Sequence, residues 1–335
     1  MNQPFHSFFE PNPQQVRMEE EKNKLKKDAT YIGVLSIALT LVMESAFTVL
    51  VLTLIRCGVF SAEQLEDPYL GLGNTMYMIM YIGIYVFALL VPAVVVSFLF
   101  KKRFFPLSPA KPVRFEVAFL SILGAVGLCM LSNIINSYLI TIFTEVGLEV
   151  PEAPQTMEQT IPSLALNLFT MAVLPALLEE IIYRGYILRT LRPYGNLFAV
   201  LVSSALFSLM HGNLRQIPFA FIVGLVLGYL YVVTDNIWMP AAVHFTNNAF
   251  SVLMEYAGFF LPEEKVGFFY TIAIYGLLLL GIIAAILLLM FYKKHLSAPR
   301  VETALPAGKR VSALLTTPLF LISVILYAIL VIMGS

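Results

Sequence analysis

Charge is what this chain has least of. Asp, Glu, Lys and Arg make up only 13% of its 335 residues, about half the share of an ordinary soluble domain. Acids and bases balance at 21 each, so no basic surplus points to nucleic acid. The two cysteines, Cys57 and Cys129, lie in or beside apolar segments and have neither disulfide nor metal spacing. The N-terminus lacks the pattern of a signal peptide; residues 1–30 are polar, and EEEKNKLKK reads as a charged cytoplasmic helix. Internal repeats, low-complexity tracts and domain-dividing linkers are absent, and so is the HExxH helix spacing that makes zinc specific.

What fills the chain instead is apolar. Hydrophobic residues make up 59% and mean hydropathy is +0.83. The charges cluster between apolar runs of about the ~20 residues that carry a helix across a bilayer. The expected fold is all-α: a polytopic transmembrane bundle of about nine spans, eight being possible. Spans fall near 31–55, 75–100, 115–143, 161–191, 197–212, 217–233, 239–255, 268–291 and 312–333. Residues 1–30 are expected to form a charged cytoplasmic segment and 31–335 a single transmembrane domain, with 161–255 as its core helices. Lys and Arg sit in alternate loops: residues 17–27, then the group from Lys101 to Arg114, then Arg184 to Arg192, then Lys293 to Arg310. Loop 144–160 has acids and no base. That alternation predicts a cytoplasmic N-terminus and an outside C-terminus. The expected location is an integral multi-pass membrane site, the plasma membrane if the source is bacterial.

One stretch breaks the apolar pattern, LEEIIYRGYIL at 178–188. Glu180 and Arg184 are four apart with the acid first, the better order for an ion pair on one helix face. Glu179 lies ~100° away around the helix and meets no cation of its own helix. An unpaired carboxylate in a low-dielectric site suits a general base or a metal ligand. Pro175 removes a backbone donor and leaves the Met171 carbonyl without its i+4 partner, so protein or water must stand beside it.

Of the four histidines, His6 and His295 lie in polar segments. His211 ends FSLMHGN, with Phe207 one turn before it to pack under the ring. Glu179 lies 13 residues before Arg192, and His211 lies 14 after Leu197. These are ~20 Å and ~21 Å from one shared turn, so the two fall at similar depth. His244 and Asn248 again share a helix face. Six residues from Trp238, however, give His244 only ~9 Å of rise, short of the depth of Glu179; Asn248 comes closer. Glu44 is another intramembrane carboxylate, open to a structural or a functional role. Asn133 and Asn136 read as inter-helix hydrogen-bonding residues.

EEIIYRG at 179–185, FSLMH at 207–211 and HFTNN at 244–248 together resemble the CPBP family of intramembrane endopeptidases, of the Abi and CAAX prenyl protease type II kind. The resemblance spans about 161–250 and makes 161–255 the catalytic-core helices. It implies that Glu179 activates the hydrolytic water beside His211, that His244 and Asn248 position the water or stabilise the oxyanion, and that Glu180, Arg184 and Phe207 support them. Peptide hydrolysis needs a base, a water and oxyanion donors, and these residues supply them. Glu179, His211 and His244 are also a possible His₂Glu zinc set; a metal-free glutamate mechanism is equally compatible. The expected partners are the lipid bilayer and a peptide or lipidated-protein substrate. Intramembrane Glu, His and Asn also serve ion-coupled transporters, and a non-catalytic immunity or scaffold protein is a third reading. Against transport, no paired broken helices occur in matching halves.

Overall fold

The computed structural model describes residues 12–67, 69–102, 110–148, 150 and 159–334. His6, Arg103 and most of loop 144–160 lie outside them. The described residues form helices and connecting turns.

Helix α1, Pro13–Arg56, opens on an Asn12 cap whose side chain accepts from the Gln14 amide at 2.9 Å. It runs unbroken through residue 30, joining the charged N-terminal segment to the first apolar run. Helices α2, Asn74–Leu99, and α3, Phe115–Glu145, follow. The long element α4, Ile161–Tyr194, starts on a Thr160 cap. Then come α5, Asn196–Leu209; α6, Ile217–Thr234; α7, Trp238–Glu255; and α8, Glu263–Phe291. The chain closes on α9, Ala307–Leu315, and α10, Pro318–Met333.

Six of these, α1, α2, α3, α4, α6 and α8, are long and apolar enough to cross a membrane. The pair α9 and α10, bent by 77° at a short break, makes a seventh if it counts as one span. The other two expected spans are the 14-residue α5 and the 18-residue α7. At 1.5 Å per residue α5 covers ~21 Å, less than the ~30 Å of hydrocarbon. Phe268, Leu279, Ile283 and Met290 on α8 are exposed, as a lipid-facing surface must be. The chain is an integral, multi-pass membrane protein.

Small residues let the backbones approach where hydrophobic burial no longer drives packing. A Cβ built on Gly127 of α3 would stand 2.6 Å from the Gly281 Cα of α8, so that crossing has room only for glycine. Gly33 of α1 meets the Leu319 backbone of α10 just as closely. Two ionic clusters tie the ends of the helices. Asp28 of α1 accepts from Lys102 at 2.7 Å and from the Tyr194 hydroxyl at 2.8 Å. Asp235, left-handed at the end of α6, pairs with Arg192 at 2.6 Å and Lys111 at 2.8 Å.

Burial pushes the Asp235 carboxyl up, but hydrogen bonds and charge from Lys111 and Arg192 outweigh it and hold it below the usual carboxylate range. A depressed folded pKa gives stability that is present above the unfolded value and lost as pH falls through the folded one. Wild type is therefore expected to unfold at a higher temperature than Asp235→Asn at neutral pH. The gap should close below about pH 4, which thermal unfolding in detergent across an acid series checks.

Candidate active site

The helix carrying the glutamates is irregular on both sides of them. Residues Leu168–Val173 and Ile181–Leu188 are π-helical, and Leu174–Glu180 between them is α-helical. Single-turn π segments are common at functional sites because they re-aim side chains and free backbone groups. The Met171 carbonyl, deprived of its partner by Pro175, accepts from Asn248 Nδ2 of α7 at 2.9 Å. Helix α7 thus seals the proline defect from outside.

Glu180 is the hub. Its Oε1 accepts from Arg184 at 2.7 Å and lies 2.9 Å from His244 Nδ1. All three side chains are buried, Glu180 and Arg184 to 1% exposure. Arg184 also donates to the Gly224 carbonyl of α6 at 3.2 Å and lies 4.7 Å over the Phe207 ring of α5. Four helices therefore meet on one guanidinium–carboxylate pair. Glu180 Oε2 and Arg184 Nε are buried without a hydrogen-bond partner among the described residues.

A carboxylate can only accept, so His244 donates its Nδ1–H to Glu180 and turns its Nε2 the other way. That Nε2 is 3.9 Å from Glu179 Oε2. His244 thus reaches both glutamates, contrary to the expected shortfall in depth. The expectation counted α-helical rise from Arg192 back to Glu179, whereas Ile181–Leu188 is π-helical, with more residues per turn and less rise for each, which closes only part of the gap.

His211 stands two residues beyond the end of α5, in the turn. Its main-chain N–H bonds to Ser208, which leaves the Phe207 carbonyl for the imidazole Nδ1 at 2.9 Å. A carbonyl also only accepts, so His211 likewise donates from Nδ1 and leaves its Nε2 outside that bond. Phe207 sits between the two imidazoles, edge-to-face with His211 at 5.2 Å and with His244 at 5.9 Å. Tyr183 meets the same ring at 5.2 Å and fixes it from α4. Asn136 donates to the Arg215 carbonyl at 3.0 Å and so anchors the turn holding His211 to α3. Asn133 bonds within its own helix, to the Cys129 carbonyl.

Of the possible zinc set, Glu179 and His244 face one another, but no three His, Cys, Asp or Glu side chains among the described residues are grouped to hold a metal ion. Glu44 is exposed on α1 and has no hydrogen bond or ion pair among the described residues. His295 is exposed, as its polar segment implied.

Three neighbours of the site were not legible beforehand. Tyr85 of α2 donates its hydroxyl to Glu179 Oε1 at 2.7 Å. Asn247, next to Asn248, is buried, donates to Asn248 Oδ1 at 3.2 Å and keeps its own Oδ1 unpartnered. Tyr256 accepts from Asn167 at 2.7 Å and donates to Ser163 at 3.0 Å, tying the start of α4 to the end of α7. The i, i+4 spacing of Tyr77, Tyr81 and Tyr85 was the signal for the first.

Residues 161–250 match the family of type II CAAX prenyl endopeptidases described as Rce1-like. Two curated relatives overlap the chain in part. One, "Putative membrane peptidase YdiL" of Bacillus subtilis (strain 168), is 31% identical over 31% of this chain and 43% of its own length. The other, "Membrane-embedded CAAX protease MroQ" of Staphylococcus aureus (strain USA300), is 29% identical over 32% of this chain and 47% of its own. The chain thus spans less than half the length of either. No solved structure gives a significant match.

Proposed function

We propose, on the premise that residues 161–250 belong to the CPBP, Rce1-like family, that this chain is an intramembrane endopeptidase whose base is Glu179. The observation that carries the reading is the 3.9 Å gap between Glu179 Oε2 and His244 Nε2. Two acceptors at that spacing, one anionic and one neutral, hold a single water between them. The water is bonded to both, and Glu179 takes its proton as the oxygen attacks the peptide carbonyl carbon. The carbonyl π electrons move to oxygen, giving a tetrahedral oxyanion. Its collapse breaks the C–N bond, and the proton on Glu179 passes to the leaving amine. Asn248 uses one amide proton on Met171 and has a second for the oxyanion. His211, held by Phe207, offers its Nε2 from the neighbouring turn.

Glu180 and Arg184 act through His244, whose tautomer they set. The substrate is a peptide delivered by the membrane, a prenylated CAAX-type C-terminus fitting the bilayer, the description of the matched family and the name of one relative. The test is cleavage of a farnesylated CAAX-type peptide by detergent-purified protein, with products read by mass spectrometry. One new amine and one new carboxylate terminus are expected. Intact peptide at long incubation, for this and for non-prenylated membrane peptides, would overturn the reading. Exhaustive chelation is the second arm: activity that survives it removes zinc, and loss restored by zinc would put a metal on Glu179 and His244.

A further inference from the structure

Helix α2 carries Tyr77, Tyr81 and Tyr85 one turn apart, and so on a common face. Tyr81 stacks on Tyr85 with centroids 6.2 Å apart, and Tyr77 meets Tyr69 and Phe47 edge-on. The upper members are half-buried, while Tyr85 is buried. Its hydroxyl ends on Glu179 Oε1 at 2.7 Å, across 94 residues of sequence. Glu179 is also faced by Tyr81 from α2, by His244 from α7, and by Glu180, Tyr183 and Arg184 of its own helix. Among the described residues only Tyr85 donates a hydrogen bond to it.

We infer that Tyr85 is a positioning residue that decides which oxygen of Glu179 reacts. A glutamate's terminal torsion is broad and nearly two-fold, so a free carboxylate samples orientations that take either oxygen away from the water. A charge-assisted hydrogen bond is short and roughly twice as strong as a neutral one. With Oε1 pinned by Tyr85, Oε2 is left facing His244 Nε2, where the water sits. The stacked Tyr81 ring holds the phenol in place, and α2 thereby becomes part of the reactive centre although it carries none of the family's motifs. The inference rests on the reading of Glu179 as base.

Tyr85→Phe keeps the ring and its stacking and removes only the hydroxyl. Losing a hydrogen bond to a charged group is expected to lower kcat about 10- to 100-fold. KM should stay within about twofold, because the bond touches no part of the substrate. Tyr85→Leu, losing the ring as well, should lower the unfolding temperature too. Unchanged kcat in Tyr85→Phe, beside an active wild type and an inactive Glu179→Gln, would overturn the inference alone. Wild type without cleavage, or Glu179→Gln equal to wild type, would overturn the reading of the base and the positioning role with it. A second readout needs no substrate: the infrared carboxylate stretch of Glu179, identified by its absence in Glu179→Gln. It should shift in Tyr85→Phe, and a stretch that stays put would show that no such bond exists.

Discussion

Glu179→Gln is expected to lower kcat by about 10²- to 10⁴-fold, the span a positioned general base contributes, while the protein purifies and unfolds as wild type does. Two features of the site separate activity from stability here. The carboxamide has the shape of the carboxylate and still accepts from Tyr85, whose bond to Oε1 is 2.7 Å. It carries no charge, and Glu179 has no direct ion pair with a Lys or Arg among the described residues to lose. The weaker bond from Tyr85 and the lost attraction of the nearby Arg184 are offset by the desolvation cost that neutralising a buried carboxylate removes, so the variant is expected to be about as stable as wild type. What it lacks is a lone pair basic enough to take a proton from water. Cleavage of the reporter peptide and thermal unfolding, measured on the same preparation, check both halves. A variant that cleaves at the wild-type rate would place the base elsewhere. One that loses activity together with its fold would give Glu179 a structural role instead.

The features written into a single helix could be read from the sequence. Glu180 and Arg184 pair at i, i+4 as their spacing required, at 2.7 Å. Phe207 packs on His211 one turn on. Pro175 left a carbonyl in need of a donor, and α7 supplies one. Each of these depends on a helical period and a side chain's reach, which are local properties. Contacts between helices were less accessible. The bond of His244 to Glu180 depends on how α7 sits against a π-helical stretch of α4, and residue type gives no sign of where an α-helix widens into a π-helix. Tyr85 was hidden for a different reason. Tyrosine at helical spacing fills bundles routinely, and only the pairing of α2 with α4 turns one of those hydroxyls toward a carboxylate. The expected spans show the same limit: apolar runs located the helices, and Gly212 and Asn213 marked the early end of α5, but the apolar pattern did not show the 77° bend before Pro318 that parts α9 from α10.

Replacing Glu180 by Gln is expected to cost about 3–5 kcal/mol, the penalty for breaking one side of a buried ion pair. Arg184 is 1% exposed, and once its carboxylate is gone no water reaches it. The Gly224 carbonyl at 3.2 Å and the Phe207 ring at 4.7 Å recover part of the loss, so the lower end of the range is the better expectation. Arg184→Leu should destabilise for the mirror reason, stranding a buried carboxylate that retains only His244. The double replacement Glu180→Leu with Arg184→Leu removes both charges. A well-packed apolar pair is often as stable as a buried ionic one, so its unfolding free energy should return toward wild type and stand above that of either single variant. Activity is expected not to return with it. His244 would have lost the acceptor 2.9 Å from its Nδ1, and with it the bond that fixes its tautomer and aims Nε2 at Glu179. Denaturant unfolding and peptide cleavage on all four proteins decide the matter. If stability and cleavage recover together in the double variant, the pair serves only to hold α4 to its neighbours. If stability recovers and cleavage does not, Glu180 belongs to the chemistry through His244, and the adjacent glutamates divide the work, one fixing the imidazole and the other taking the proton.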